Sequence, residues 1–428
     1  MSRSPSLDSV HMLAHRVRAW WRAASMPRLR RILFAIYLLT AALDAAGKSL
    51  AATPAFNRAA AELVSNAHAE NLRNAARPSG NYEIFRLSSR NLVSGADLYA
   101  EYPEEHSDRF KYSPTFALLF SPLSWMPWQL GLFLWSALNA LVLFVSIERV
   151  LPGRNGLLAL AFLHLEVLRA MQNAQSNALV AGLIILAFAA LERGKAWKAA
   201  GAVLLGASVK IFPLAALSFA IPRRLVMRTG VWATAMGATL LAAPLLVTTP
   251  ARLVAQYRSW QGVESSDAKQ RWFSVMELIH RWFGTEWPNW PVQLAGTLVL
   301  LAPLVLRRER WDEARFRLTY LASVLLFAVL FNHQAERASY VIAFTGATLW
   351  FCSAPRTTMR SVLYGIAFVT TPLMSTLIPG ALFRTDTATL YRLAVPALAI
   401  WGMAQLELLR RTGQAGPRAT EADGLSPP

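Results

Sequence analysis

The chain has 428 residues, 54% hydrophobic and 16% charged, against about 45–50% apolar and ~25% charged in a soluble domain, which excludes an ordinary soluble enzyme. Its 43 Lys and Arg against 25 Asp and Glu give a formal charge of +18; in a membrane protein that excess marks basic cytoplasmic loops, not nucleic acid as a partner. The single Cys352 excludes an intramolecular disulfide and any cysteine-built metal site.

Residues 1–31 are basic and carry Trp20 and Trp21 but no apolar core ahead of a cleavage site. They read as a cytoplasmic interfacial segment, not a signal peptide. An apolar run at 32–50 predicts the first crossing, and the longest polar stretch, 51–111, follows it. That stretch has helix-compatible pieces at 56–75 and 83–92 separated by Pro78 and Gly80, and a connection so long is usually functional. The run 116–126 is short and interrupted by Pro122, so a short tilted span and a re-entrant element are both open. Further spans are predicted near 130–147, 157–170, 174–191, 199–221 and 231–247. A second polar loop, about 248–290, holds five tryptophans suited to the membrane interface. Within it Phe273, Met276, Leu278 and Ile279 recur with the spacing of a surface amphipathic helix. The last spans are predicted at 292–306, 318–331, 340–352, 362–377 and 390–406.

The expected architecture is an all-α polytopic membrane protein. One domain at 32–409 carries about 10–12 transmembrane helices, and a polar, disordered cytoplasmic tail occupies 410–428. Basic clusters such as Arg193, Lys195 and Lys198, or Arg307, Arg308 and Arg310, flank span ends. The positive-inside rule then puts both large loops on the outer face of the cell inner (plasma) membrane if the run 116–126 crosses.

Charged groups at membrane depth cost roughly 2.5–3.5 kcal/mol on insertion scales and so line cavities or pair. Asp44, His164, Glu166, Arg169, Lys210 and the run Asn332-His333-Gln334-Ala335-Glu336-Arg337 are such groups. The first loop carries Asn81-Tyr82-Glu83-Ile84-Phe85, then Gly95-Ala96-Asp97-Leu98-Tyr99, then Phe110-Lys111-Tyr112-Ser113-Pro114. Asp97 suits a structural cap as well as it suits catalysis, and Tyr112 with Pro114 marks entry into the membrane. Glu101, Glu104, Glu105 and Asp108 form a charge run, more often a solvated face than a site.

This string resembles the first extracytoplasmic loop of glycosyltransferase family 87, polyprenyl-phosphate-dependent mannosyl- and arabinofuranosyltransferases of the GT-C class. Gln175-Ser176-Asn177 resembles the family's Gly-Gln-x-Asn, the stretch from Gly201 to Lys210 with Pro213 its small-residue span, and His333 a histidine used near the donor phosphate. The resemblance implies transfer of a sugar from a polyprenyl-phosphate donor to a lipid-linked or glycan acceptor of the cell envelope, among membrane lipids, with neither cofactor nor metal. No Asp-x-Asp pair for a metal-bridged nucleotide sugar occurs in the chain. Asn81 stands where the family has its catalytic aspartate, and an amide is no base. Glu83, Asp97 and Glu336 are therefore the candidate bases. Asn81, Tyr112, Gln175, Asn177, Lys210, His333 and Arg337 are the candidate substrate ligands. Lys210 and Arg337 would hold a departing phosphate, Arg in bidentate fashion, although Arg337 serves equally as a partner for Glu336.

Two rivals stand beside this reading. A transporter or lipid flippase would line its path with Asp44, Glu166, Lys210 and Glu336, although the chain has no internal repeat of the kind such proteins use. A catalytically silent family member would account for Asn81.

Overall fold

The computed structural model describes residues 19–51, 53, 80–106, 108–377 and 385–411, together with residues 12, 15 and 16. The expected helix at 56–75 and nearly all of the tail lie outside these. Every regular element among the described residues is a helix, in agreement with the all-α expectation. An α-helix rises about 1.5 Å per residue and the hydrocarbon core is about 30 Å thick. Five stretches are long and apolar enough to cross: α1 (Met26–Ala51), α4 (Trp128–Val150), Val226–Leu246, α11 (Asn289–Leu306) and α15 (Asp386–Leu409). The third comprises α8 (Val226–Ala242) and a 3₁₀ turn.

The remaining helices are shorter and pack among these. The first loop supplies α2 (Gly80–Ser94), and the short apolar run after it is α3 (Pro114–Ser124). At eleven residues α3 is about 16 Å long, half a bilayer core. Then come α5 (Arg154–Gln172), α6 (Asn177–Glu192) and α7 (Ala196–Val209). The expected span at 199–221 is not one helix. It stops at Val209, passes Lys210 in extended backbone (φ −145°, ψ 138°) and resumes as a 3₁₀ helix, Phe212–Ala220, because Pro213 lacks the N–H that a continuing helix needs. The second polar loop is largely helical, as α9 (Pro250–Asp267) and α10 (Val275–Phe283). Of the residues expected to form the apolar stripe of α10, Met276 and Leu278 are buried and Ile279 is half-buried, Phe273 precedes the helix, and Trp282 and Phe283 at its end are exposed.

At the centre lie α12 (Ala314–Leu330) and α13 (Tyr340–Cys352). All thirteen residues of α13 are buried, so this helix is apolar around its whole circumference and touches only protein. Small residues allow close approach elsewhere: a Cβ on Gly182 of α6 would stand 2.9 Å from the Leu143 backbone nitrogen of α4. The helix α14 (Thr358–Phe368) continues through a π turn, Val369–Leu373, which contains Pro372.

The bundle has two chemically different ends. At one, arginines in the first turns of helices meet carboxylates in the last turns of their neighbours. Arg317 of α12 grips Glu192 of α6 through two contacts of 2.8 Å, Arg360 of α14 pairs with Glu407 of α15, and Arg30 of α1 pairs with Glu148 of α4 at 2.7 Å. Arg307 and Arg310 cap the carbonyls at the end of α15. At the other end the same helices surround a cavity.

Candidate functional site

An aromatic cluster holds the first loop against the bundle. Tyr82 and Phe85 of α2, Phe110 and Tyr112 of the loop, Phe116 and Phe120 of α3, and Trp135 of α4 meet with ring centroids 5.1 to 6.4 Å apart, mostly edge to face. Tyr99 donates its hydroxyl to the Tyr112 carbonyl at 2.8 Å. Ser113, the N-cap of α3, accepts from the Phe116 amide and donates its hydroxyl to the Ser208 carbonyl at 2.6 Å. That last bond ties the Phe-x-Tyr-x-Pro string to the end of α7, two residues from Lys210.

Beyond this wall lies a cavity of about 280 Å³, close to the lower size of small-molecule sites. One side carries Asn81 and Ile84 of α2, Tyr112 and Gln175. A second carries Lys210 and the chain after it to Phe212. A third is the face of α9 with Trp260, Glu264 and Asp267. The last is Gln293 of α11 with the end of α12 and the run Asn332, His333, Gln334 and Glu336.

Six of the ten candidate residues thus share one cavity: Asn81, Tyr112, Gln175, Lys210, His333 and Glu336. Asn177 stands just behind it, fully buried, donating to Gln175 Oε1 at 3.3 Å. The other three lie outside the lining. Glu83 accepts from the Trp128 indole and faces Arg86 at 3.6 Å. Asp97 accepts from the Tyr99 amide at 3.0 Å, the capping role equally open to it in sequence. Arg337 donates to the Ser375 carbonyl at 3.3 Å, and among the described residues it makes no ion pair with Glu336.

Residues with no assigned role in sequence complete the cavity. Lys111 Nζ lies 3.1 Å from Asp267 Oδ2. Burial opposes its charge, but the hydrogen bond and charge of Asp267, with Asp108 and Glu336 adding, raise its pKa above the ordinary lysine value. Gln334 Nε2 approaches Glu264 and Asp267 at 3.4 Å each. Burial pushes the Glu264 carboxyl above its usual range, and the neighbouring charge of Asp267 adds to that, against the hydrogen bonds of Trp260 and Gln334. The spacing 260, 264 and 267 puts three residues on one helix face, a signal available in sequence but hidden in a stretch read as a polar loop.

His333 Nδ1 lies 3.3 Å from Gln293 Nε2, which also donates to the Phe331 carbonyl at 3.1 Å. An amide nitrogen only donates, so Nδ1 is the acceptor and a neutral ring carries its proton on Nε2. Among the described residues that Nε2 is buried without a partner, a donor open to an anion. Among the described residues Lys210 makes no ion pair within 4.0 Å, though it interacts electrostatically with Glu336 and Glu264. The cavity therefore offers cations and one donor for a phosphate, carboxylates for a proton, and amides for hydroxyls.

Compared with known proteins, residues 110–332 match the family model described as glycosyltransferase family 87, slightly more than half of the chain. No curated protein matches. Asn81, Glu83 and Asp97 precede the matched stretch, and His333, Glu336 and Arg337 follow it.

Proposed function

The chain belongs to glycosyltransferase family 87 and is a membrane glycosyltransferase, and from that premise we propose that it moves a sugar from a polyprenyl-phosphate donor to a lipid-linked or cell-envelope acceptor at the outer face of the inner membrane, on a GT-C-like scaffold. The observation that carries this is the convergence of Lys210, His333 and Glu336 on a cavity walled by amides and aromatic rings. The arginine-rich end, with its clusters beside the helix termini, is then cytoplasmic, and the cavity opens at the opposite face.

The reaction requires little machinery. The acceptor hydroxyl gives its proton to the Glu336 carboxylate as its oxygen bonds to the anomeric carbon. The bond from that carbon to the donor phosphate breaks, and its electron pair leaves with the polyprenyl phosphate. Lys210 and the His333 Nε2–H stabilise the charge growing on that phosphate. Asn81, whose Nδ2 is held by the Asn173 carbonyl at 2.8 Å, keeps its amide oxygen for a sugar or acceptor hydroxyl. Gln175, held from behind by Asn177, offers its amide to the sugar, and Tyr112 packs against it. Metal assistance is not part of this reading.

One observation favours Glu264 as the base instead: it lines the same cavity, and burial raises its proton affinity above that of an ordinary glutamate. Purified protein in nanodiscs, supplied with polyprenyl-phosphomannose and related donors together with membrane lipid extracts, tests the proposal. Sugar transfer that is lost in Glu336→Gln is the expected result. Folded protein that transfers from no donor overturns it, and substrate flux across proteoliposomes without a covalent product would establish a transporter.

A further inference from the structure

A second charged cluster lies at the same end of the bundle, separate from the cavity lining. Arg169, in the last turn of α5, and Arg337 each donate to the Ser375 carbonyl. Arg392 of α15 donates to the Thr370 carbonyl at 3.1 Å and to Ser375 Oγ at 2.9 Å. Three guanidinium groups from three parts of the chain thus converge on the segment that follows the π turn. All three interact electrostatically with one carboxylate, Glu166 of α5. Arginine stays protonated in proteins, so the cluster carries a surplus of two positive charges even with Glu166 ionised.

This surplus is not balanced among the described residues. Among the described residues none of the three arginines makes an ion pair within 4.0 Å, unlike Arg317 and Arg360 at the other end. Arg392 is more than nine-tenths buried, and among the described residues its Nε and that of Arg337 are buried without a hydrogen-bond partner. Glu166 is 3% exposed, and its Oε1 is likewise unpartnered. Buried charge without a counter-charge is costly, and guanidinium N–H donors left open are the chemistry that recognises a tetrahedral oxyanion. The cluster is one residue from the cavity, through the Glu336-Arg337 step. It is one helical turn from Asn173, whose carbonyl holds Asn81.

We propose that Arg169, Arg337 and Arg392 form a second anion site, which takes a phosphate group while the donor phosphate occupies the Lys210 and His333 side of the cavity. Its place at the helix ends suits the phosphate of an anionic lipid headgroup, the acceptor itself in phosphorylated form. Only the word acceptor rests on the transferase reading; binding at the site is measured without any transfer.

Full-length protein in neutral detergent, analysed by native mass spectrometry with phosphatidic acid or phosphatidylcholine, tests the site. Phosphatidic acid should be retained over phosphatidylcholine. Arg169→Gln and Arg392→Gln should each weaken that retention by about tenfold, and Glu166→Gln, which removes the opposing charge, should strengthen it severalfold. The opposed directions separate binding from damage to the fold, since misfolding weakens every variant alike. Inorganic phosphate that displaces the lipid at millimolar concentration assigns recognition to the phosphate alone, and failure to displace assigns it to the whole headgroup. Equal retention of both lipids, or retention unchanged by either arginine variant, overturns the proposal.

Discussion

The two ends of this bundle use the same residue types for opposite purposes. At one end Arg317 meets Glu192 and Arg360 meets Glu407 in bidentate pairs, and the charge is spent on holding helix ends together. At the other, Lys210 and Arg392 approach their surroundings without a carboxylate within ion-pair distance among the described residues, and the charge is kept for something else. The cations that close helices have a carboxylate at ion-pair distance, whereas those of the two proposed anion sites are held by backbone geometry. Lys210 is held by the break after α7, and Arg392 by two oxygens of the π-turn segment.

Substitutions can break that contrast, and the largest effect is expected at the cavity. Glu336→Gln should lower the transfer rate by about 10²- to 10⁴-fold at unchanged folded yield; a rate within threefold of the parent would remove Glu336 as the base. Lys210→Met should follow with a loss of about 10²- to 10³-fold, mainly in kcat, and a change confined to KM would make Lys210 a binding group only. At the opposite end Glu192→Gln should leave the rate per folded molecule untouched. It should cost about 2–3 kcal/mol of stability by stranding Arg317, which is 8% exposed, seen as a lower Tm. A loss of rate with an unaltered Tm would collapse the distinction between the ends.

The smallest effect is a matter of pH. Because burial raises the Glu264 pKa, this carboxylate is ionised at high pH and takes up its proton above the range of an ordinary glutamate, about 4.3. If Glu336 is the base, Glu264→Gln should move the acid limb of the rate profile to lower pH and keep the plateau. A vanished plateau would transfer the role to Glu264. Lys111, whose pKa is raised, should keep its charge through the whole neutral and mildly alkaline range, so the profile should show no basic limb from this residue.

Much of this organisation was legible in sequence. Apolar runs gave the helices, and membrane-depth charges such as Lys210, His333 and Glu336 gave half of the cavity, because a charge in an apolar run has few reasons to be there. Three things resisted. Helix α9 has Glu264 and Asp267 in a polar stretch, where composition cannot separate a solvated face from one turned inward. Asp97 and Glu83 fit a motif, yet their side chains meet the Tyr99 amide and the Trp128 indole, contacts that depend on how the loop folds back. Arg337 adjoins Glu336 in sequence, but it turns toward Ser375, some forty residues away along the chain. Neighbours on a chain reversal point in different directions, and that divergence has no signature in residue spacing.

The end of α7 carries a consequence for anyone altering this protein. Lys210 is the first extended residue after the helix, so its position is an address fixed by one peptide unit. Exchanging Val209 and Lys210 would conserve composition, charge and hydropathy. The ammonium would then be on the last helical residue, which is turned by about 100° per position around the helix axis. Any redesign that scores this stretch by its content alone would judge the swap silent, although it relocates the cation that the end of this helix presents to the cavity.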